Sequence, residues 1–238
     1  DDVQGLEGYI VFNGKALARN REALTRLLND VFNGARFDEK ERVRELIAQI
    51  RSRREQAVTG SGHALAMGAA SQGISPGAWL SFRLGGLEAI RGVKALDKSL
   101  SEPAELDRFC ERLAALHERI RNQSRQFLLI GEEEQLDPML TEMKTVWGDS
   151  GAGEQAAWKL EPVSYQARQA WLTSTQVNFC AKAYSTVAID HPDAAALTVL
   201  GGFLRNGYLH RAIREKGGAY GGGAGQDSVN GTFRFFSY

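Results

Sequence analysis

The 238-residue chain carries 29 Lys and Arg against 29 Asp and Glu, so its net charge is zero; 43% of it is hydrophobic and 24% charged. That composition predicts an ordinary globular protein and lacks the basic excess of a nucleic-acid binder. No run of about 18 apolar residues offers a transmembrane helix, and the acidic start DDVQGLEGYI does not have the pattern of a signal peptide. The absent initiator Met reads as a piece cut from a longer chain. Cys110, on an apolar helix face, and Cys180, in a predicted strand, are expected to be buried free thiols in a reducing compartment.

In chain order, Glu7–Phe12 (EGYIVF) reads as a strand followed by an Asn13-Gly14 turn. Asn20 is expected to cap a helix over Arg21–Phe32, with Leu24, Leu27, Leu28 and Val31 on one face. Asp38 and Glu41 form a capping-box-like start for a second helix, with Val43, Leu46, Ile47 and Ile50 inward. Its Arg51–Arg54 cluster reads as a solvated face paired with nearby Glu. Ser61–Gln72 is small-residue-rich and predicts a helix packed closely on a neighbour, broken at Gly73–Pro76. Ser81–Leu100 predicts helix interrupted at Gly85-Gly86. Pro103 opens a strong amphipathic helix through Arg121. Gln126–Ile130 (QFLLI) reads as a buried strand and Asp137–Val146 as a short helix.

Residues 147–165 have no period and many Gly and polar residues, so they are the linker candidate. Gln176–Ile189 then predicts one or two strands, and Pro192–Phe203 a small-residue helix. Leu204–Lys216 predicts a helix ended by Gly217 and Gly218. Thr232–Tyr238 begins a strand and stops. The expected fold is α+β: two sandwich domains, each a mostly antiparallel sheet with helices on one face, truncated at both ends. Residues 1–148 form the upstream domain, 149–165 the linker and 166–238 the incomplete second domain.

The four histidines, His63, His117, His191 and His210, do not form a zinc-peptidase H-x-x-E-H. His117-Glu118 opens H-E-x-x-H, but Arg121 stands where the second ligand belongs. No metal site is expected within the chain. No G-x-S-x-G elbow appears, and neither cysteine has an activating context. GGAYGGGAG is glycine-dense, but it follows a helix and is not succeeded by Lys-Ser/Thr, which weakens a nucleotide-binding reading.

The densest pattern is Gly201–Gly225, GGFLRNGYLHRAIREKGGAYGGGAG. Helix, Arg214, glycine turn, Tyr220 and a nearly bare strand follow one another. Such a strand marks a place where another backbone or a ligand comes close. Spacing alone is equally compatible with a helix-end Arg and a core Tyr. Arg214, Glu215, Lys216, Gly217, Gly218, Ala219, Tyr220 and Gly221 resemble the R-x-x-G-G-A-Y-G segment of insulinase-like (pitrilysin) zinc metallopeptidases, in their presequence-protease branch. GYIVFNGKALARNREALTRLL, SGHALAMGAAS and Gly85–Leu87 extend the resemblance across essentially the whole chain.

The resemblance implies the C-terminal, non-zinc half of a zinc metalloendopeptidase that degrades unstructured peptides. In that family two homologous halves close like a clamshell. The N-terminal half would hold Zn2+ through H-x-x-E-H, either in the same chain or as a partner. Arg214 would position a substrate carbonyl, Tyr220 would stabilise the oxyanion, and Gly217 and Gly218 would line the substrate. The fragment alone is then expected to be inactive, with no cofactor, nucleic acid or membrane partner of its own. Its location would be cytoplasmic in a bacterium and an organellar matrix in a eukaryote. A catalytically inactive family member serving as a structural or substrate-binding subunit is the alternative.

Overall fold

A computed structural model describes residues 3–6, 8–148 and 160–238. The helices are α1 (Arg21–Gly34), α2 (Lys40–Gly60), α3 (Gly62–Ser71), α4 (Pro76–Gly85), α5 (Leu87–Ser99), α6 (Pro103–Arg121), α7 (Glu133–Trp147) and α8 (Ala194–Leu204). α8 runs without a break into a π-helical segment, Arg205–Lys216. Three strands, β1 (Cys180–Ser185), β2 (Gly222–Asp227) and β3 (Thr232–Ser237), form one antiparallel sheet in the order β1-β3-β2. Ser237 of β3 lies opposite both Cys180 and Gly222. The chain is thus α+β, and among the described residues its sheet lies within 180–237.

The structure divides into two compact units. The first draws on Asp1–Glu7, Leu46–Lys98 and Lys159–Tyr238, and contains the sheet. Helix α3 packs on β1 and β3, and α8 with its π-helical continuation packs on β2. Small residues permit the close approach: a Cβ on Gly62 would fall 2.3 Å from the Phe179 ring, so the α3 start lies directly against the chain entering β1. Phe82, Phe233 and Ala224 are buried here. The α3–α4 break is a junction. The wholly buried Ser75 hydroxyl accepts from the Ala78 N–H (3.3 Å) as the α4 cap and donates to the Asn230 carbonyl (3.0 Å) in the β2–β3 turn. Pro76 fills the first helical position, where no N–H is needed. The Gln4 side chain donates to the Ile74 carbonyl (3.0 Å) and accepts from the Val163 N–H (2.9 Å), while the Tyr165 N–H donates to the Gly73 carbonyl (2.8 Å). Residues 160–165, the described part of the expected linker, are therefore tied to this junction; residues 149–159 lie outside the described residues.

The second unit draws on Gly8–Glu45 and Ser99–Trp158, and its described residues form helices without a strand. Phe32 is its aromatic centre, 5.5 Å from both Phe12 and Trp147 by ring centroid, with the Arg125 guanidinium 5.5 Å over its ring. The His117 Nε2 sits 2.7 Å from the Phe32 carbonyl, which can only accept, so that nitrogen carries the hydrogen. Arg21 pairs with Glu142 at 2.7 Å, joining α1 to α7.

Several expectations are corrected. Residues 8–12 carry no regular structure, and Tyr9, Ile10 and Val11 are exposed. Gln126–Ile130 is likewise irregular, with Leu128 and Ile130 exposed. Both runs have strand propensity but no partner ladder among the described residues, and a strand forms only by pairing. Asp38 does not cap α2: its carboxylate takes Arg36 bidentately at 2.8 and 3.0 Å, which holds it below the usual carboxylate range. Cys110 is buried, and burial pushes its thiol up, but Cys180 is exposed because it falls on the outer parity of β1. Arg51 meets Asp97 at 2.7 Å and Glu55 at 3.8 Å, as a paired face should.

Ser75→Ala removes both the α4 cap and the bond to Asn230. It is expected to lower stability by about 1–2 kcal/mol, read as a lower urea midpoint at unchanged m-value.

Candidate functional site

Arg214 and Tyr220 stand six residues apart, and the helix end between them brings them together. The π-helical segment closes at Lys216. Gly218 takes φ +73°, its N–H donates to the Arg214 carbonyl (3.2 Å), and the Ala219 N–H donates to the Ile213 carbonyl (3.1 Å). A left-handed residue at this point turns the chain back beside its own helix. The Arg214 guanidinium carbon then lies 5.8 Å from the Tyr220 ring centroid, a cation–π distance. Tyr220 is 76% exposed. Arg214 is exposed too, and no carboxylate among the described residues forms an ion pair with it; the adjacent Glu215 turns to His210 at 3.4 Å.

Tyr220 is held from behind. The next residue, Gly221, exchanges both backbone hydrogen bonds with Tyr238, at 2.8 and 2.9 Å. The Tyr238 ring lies 6.0 Å from that of Tyr220 and stacks with Phe236 at 6.3 Å. His63, from α3, stacks on Tyr238 at 4.8 Å and on Phe236 at 5.6 Å. A Cβ on Gly221 would fall 2.7 Å from the Tyr238 ring, so the bare backbone is what admits this packing.

All four residues singled out from sequence, Arg214, Gly217, Gly218 and Tyr220, therefore meet at one exposed helix end. The two glycines close the helix. Sequence reasoning missed Tyr238 and the placement of His63. The alternation of TFRFFSY puts Phe236 and Tyr238 on one face, so Tyr238 was accessible from period two; nothing local pointed to His63. The glycine-rich strand passes through a turn into β3 and precedes no helix N-terminus, so it lacks the geometry of a phosphate cradle. The described residues bring together no group of three His, Cys, Asp or Glu side chains that could hold a metal ion. No helix among them is long and apolar enough to cross a membrane.

The sequence matches two family models. One, over residues 1–96, describes a domain associated with the M16 peptidases of subfamily C; the other, over residues 112–238, is described as "Peptidase M16 inactive domain". Among similar proteins are three named "Presequence protease, mitochondrial". That of Danio rerio is 27% identical, covering 100% of this chain and 25% of its own length. That of Yarrowia lipolytica is 29% identical (95% and 23%), and that of Kluyveromyces lactis 30% (84% and 21%). The chain spans about a quarter of the length of these curated relatives.

Gly218→Ala forces a Cβ into left-handed backbone and is expected to cost about 1–2 kcal/mol. Gly207→Ala, at a helical position with open space around it, is expected to stabilise by up to about 1 kcal/mol. Denaturant unfolding of both variants checks the pair.

Proposed function

The chain belongs to the M16 peptidase family, and on that footing we propose that it is the C-terminal, non-zinc half of a zinc metalloendopeptidase that cleaves unstructured peptides. The observation that carries this is an unneutralised Arg214 against the ring of an exposed Tyr220, both fixed by one glycine-closed helix end.

The chemistry follows from those two groups. Hydrolysis of a peptide builds negative charge on the substrate carbonyl oxygen. A phenol hydroxyl within hydrogen-bond reach stabilises that charge, and such a donor is worth about 3–4 kcal/mol of barrier. Arg214 offers a permanent charge and several N–H donors to hold a neighbouring carbonyl, and its contact with the Tyr220 ring orients both. Gly217 and Gly218 leave this end without side chains, so a substrate backbone can come near. The described residues do not fit a zinc site, so the metal and its water are assigned to the N-terminal half, in the same chain or as a partner. Because the relatives are named as mitochondrial, an organellar matrix is the proposed location in a eukaryote.

Two outcomes test the proposal. In the full-length protein, Tyr220→Phe is expected to lower kcat by about 100- to 1,000-fold with little change in KM, because the lost hydroxyl acts when the oxyanion forms. Arg214→Lys is also expected to impair turnover, since Lys lacks the planar fork. Melting temperature and zinc content should hold in both; wild-type kcat in Tyr220→Phe refutes the oxyanion role and favours a substrate-binding subunit. Separately, the chain alone is expected to bind no stoichiometric zinc and cleave no fluorogenic peptide. Elemental analysis showing one tightly held zinc would contradict that.

A further inference from the structure

The Ser61-Gly62-His63 start of α3 is far from Tyr220 in sequence but packs on the same end of the sheet. Gly62 presses on the Phe179 ring, where a Cβ would fall 2.3 Å away. Phe179 leads into Cys180, which lies opposite Ser237, so this contact falls at the end of β1 that neighbours Tyr238. The next residue, His63, lays its ring on β3. Phe236 and Tyr238 alternate onto one face of the chain there, their rings 6.3 Å apart and within 4° of parallel. The imidazole covers both, 5.6 Å from Phe236 and 4.8 Å from Tyr238, tilted 26° to each.

This stack bears on Tyr220 through the main chain. Tyr238 exchanges both backbone bonds with Gly221, at 2.8 and 2.9 Å. The ladder does not run on past Tyr220, because the Ala219 N–H is already given to the Ile213 carbonyl (3.1 Å). The Gly221–Tyr238 pair is therefore a terminal rung, and a terminal rung opens more readily than those inside a ladder. Among the described residues, the rings stacked or tilted against Tyr238 belong to His63, Phe236 and Tyr220. Of these, only His63 comes from another part of the chain. It is the contact that ties the rung to a helix.

We infer that His63 is a positioning residue for Tyr220: its stack on Tyr238 and Phe236 keeps the Gly221–Tyr238 rung closed and so fixes where the Tyr220 hydroxyl stands. The inference rests on the peptide-hydrolase reading above and deepens it by adding a residue of α3. A displacement of about 1 Å at a catalytic group can cost about 100-fold in rate, so a rung that shifts is felt at the hydroxyl. The His63 contacts are made by the faces of its ring. A flat ring of similar size serves there, and a branched aliphatic side chain does not.

The experiment uses the full-length protein. His63→Leu, which fills the space without a ring plane, is expected to lower kcat about tenfold with KM within about twofold. His63→Phe is expected to retain most of the wild-type kcat. A role in filling volume alone would let Leu serve as well as Phe. Combined with Tyr220→Phe, His63→Leu is expected to cost little further kcat, because its effect passes through the lost hydroxyl. Wild-type kcat in His63→Leu, or losses that multiply in the double variant, overturn the inference. Hydrogen exchange reads the rung directly. In His63→Leu the Gly221 and Tyr238 amides are expected to exchange severalfold faster, with the mid-ladder Lys182 amide unmoved. Unchanged exchange at the rung, or an equal rise at Lys182, also overturns it. Should His63→Leu not fold, Tyr238→Leu removes the other half of the stack and leaves the backbone rung in place, with Tyr238→Phe as its flat control. Wild-type kcat and exchange in Tyr238→Leu then overturn the inference. Failure of the underlying reading shows elsewhere, as normal kcat in Tyr220→Phe, and the exchange at Gly221 and Tyr238 still tests the His63 contact.

Discussion

The paired backbone bonds between Gly221 and Tyr238 are the constraint on which the site depends. They are the last rung of the β2–β3 ladder. They hold the residue after Tyr220 in strand geometry while Tyr220 itself stays exposed. From the other side, the Gly218 closure holds Arg214 in reach of the same ring. Tyr220 is thus fixed by backbone on both flanks, so its side chain needs no packing of its own and stays free to meet another molecule. Among the described residues, β3 is the one strand with two partners, and the buried Ser75 hydroxyl anchors the turn that feeds it. An exposed residue therefore inherits its position from a buried seryl group some distance along the chain.

Electrostatics leave Arg214 open. In a chain of zero net charge, several helical arginines find a carboxylate three or four residues away, as Arg26 with Glu22, Arg42 with Glu45 and Arg121 with Glu118; Arg214 is among those that do not. Pairs like these are solvated and individually worth little. Arg214 has an acidic neighbour in sequence, Glu215, but a neighbour at i+1 points to a different side of a helix and cannot face it. The result is a cation with an aromatic contact and open donors. That combination suits recognition of a carbonyl or carboxylate better than it suits stability.

The glycine strand gives up sheet propensity for close approach. Without side chains, β2 lets the Tyr238 ring sit over Gly221 and lets α8 press against Gly225 and Ala224. A strand chosen only for sheet stability would carry β-branched residues here.

The helices and the residues of the site were legible along the chain. Amphipathic period marks α1, α2 and α6, Pro103 marks a start, Gly217-Gly218 marks the end beside Arg214, and the R-x-x-G-G-A-Y-G pattern singles out Arg214 and Tyr220; Pro76 reads only as a break, and α4 begins there rather than at Ser81. These are local properties, written in capping, φ preference and spacing over a few turns. Which apolar runs become strands was settled only by folding, because pairing needs a partner from elsewhere: TFRFFSY found two, whereas residues 8–12 and 126–130 found none among the described residues. Cys180 is exposed for the same reason, since its strand's register sets which face it takes. His63 reached the site through the packing of α3 on β3. A contact between residues so far apart in the chain has no short-range pattern, and it exists only once the sheet has formed.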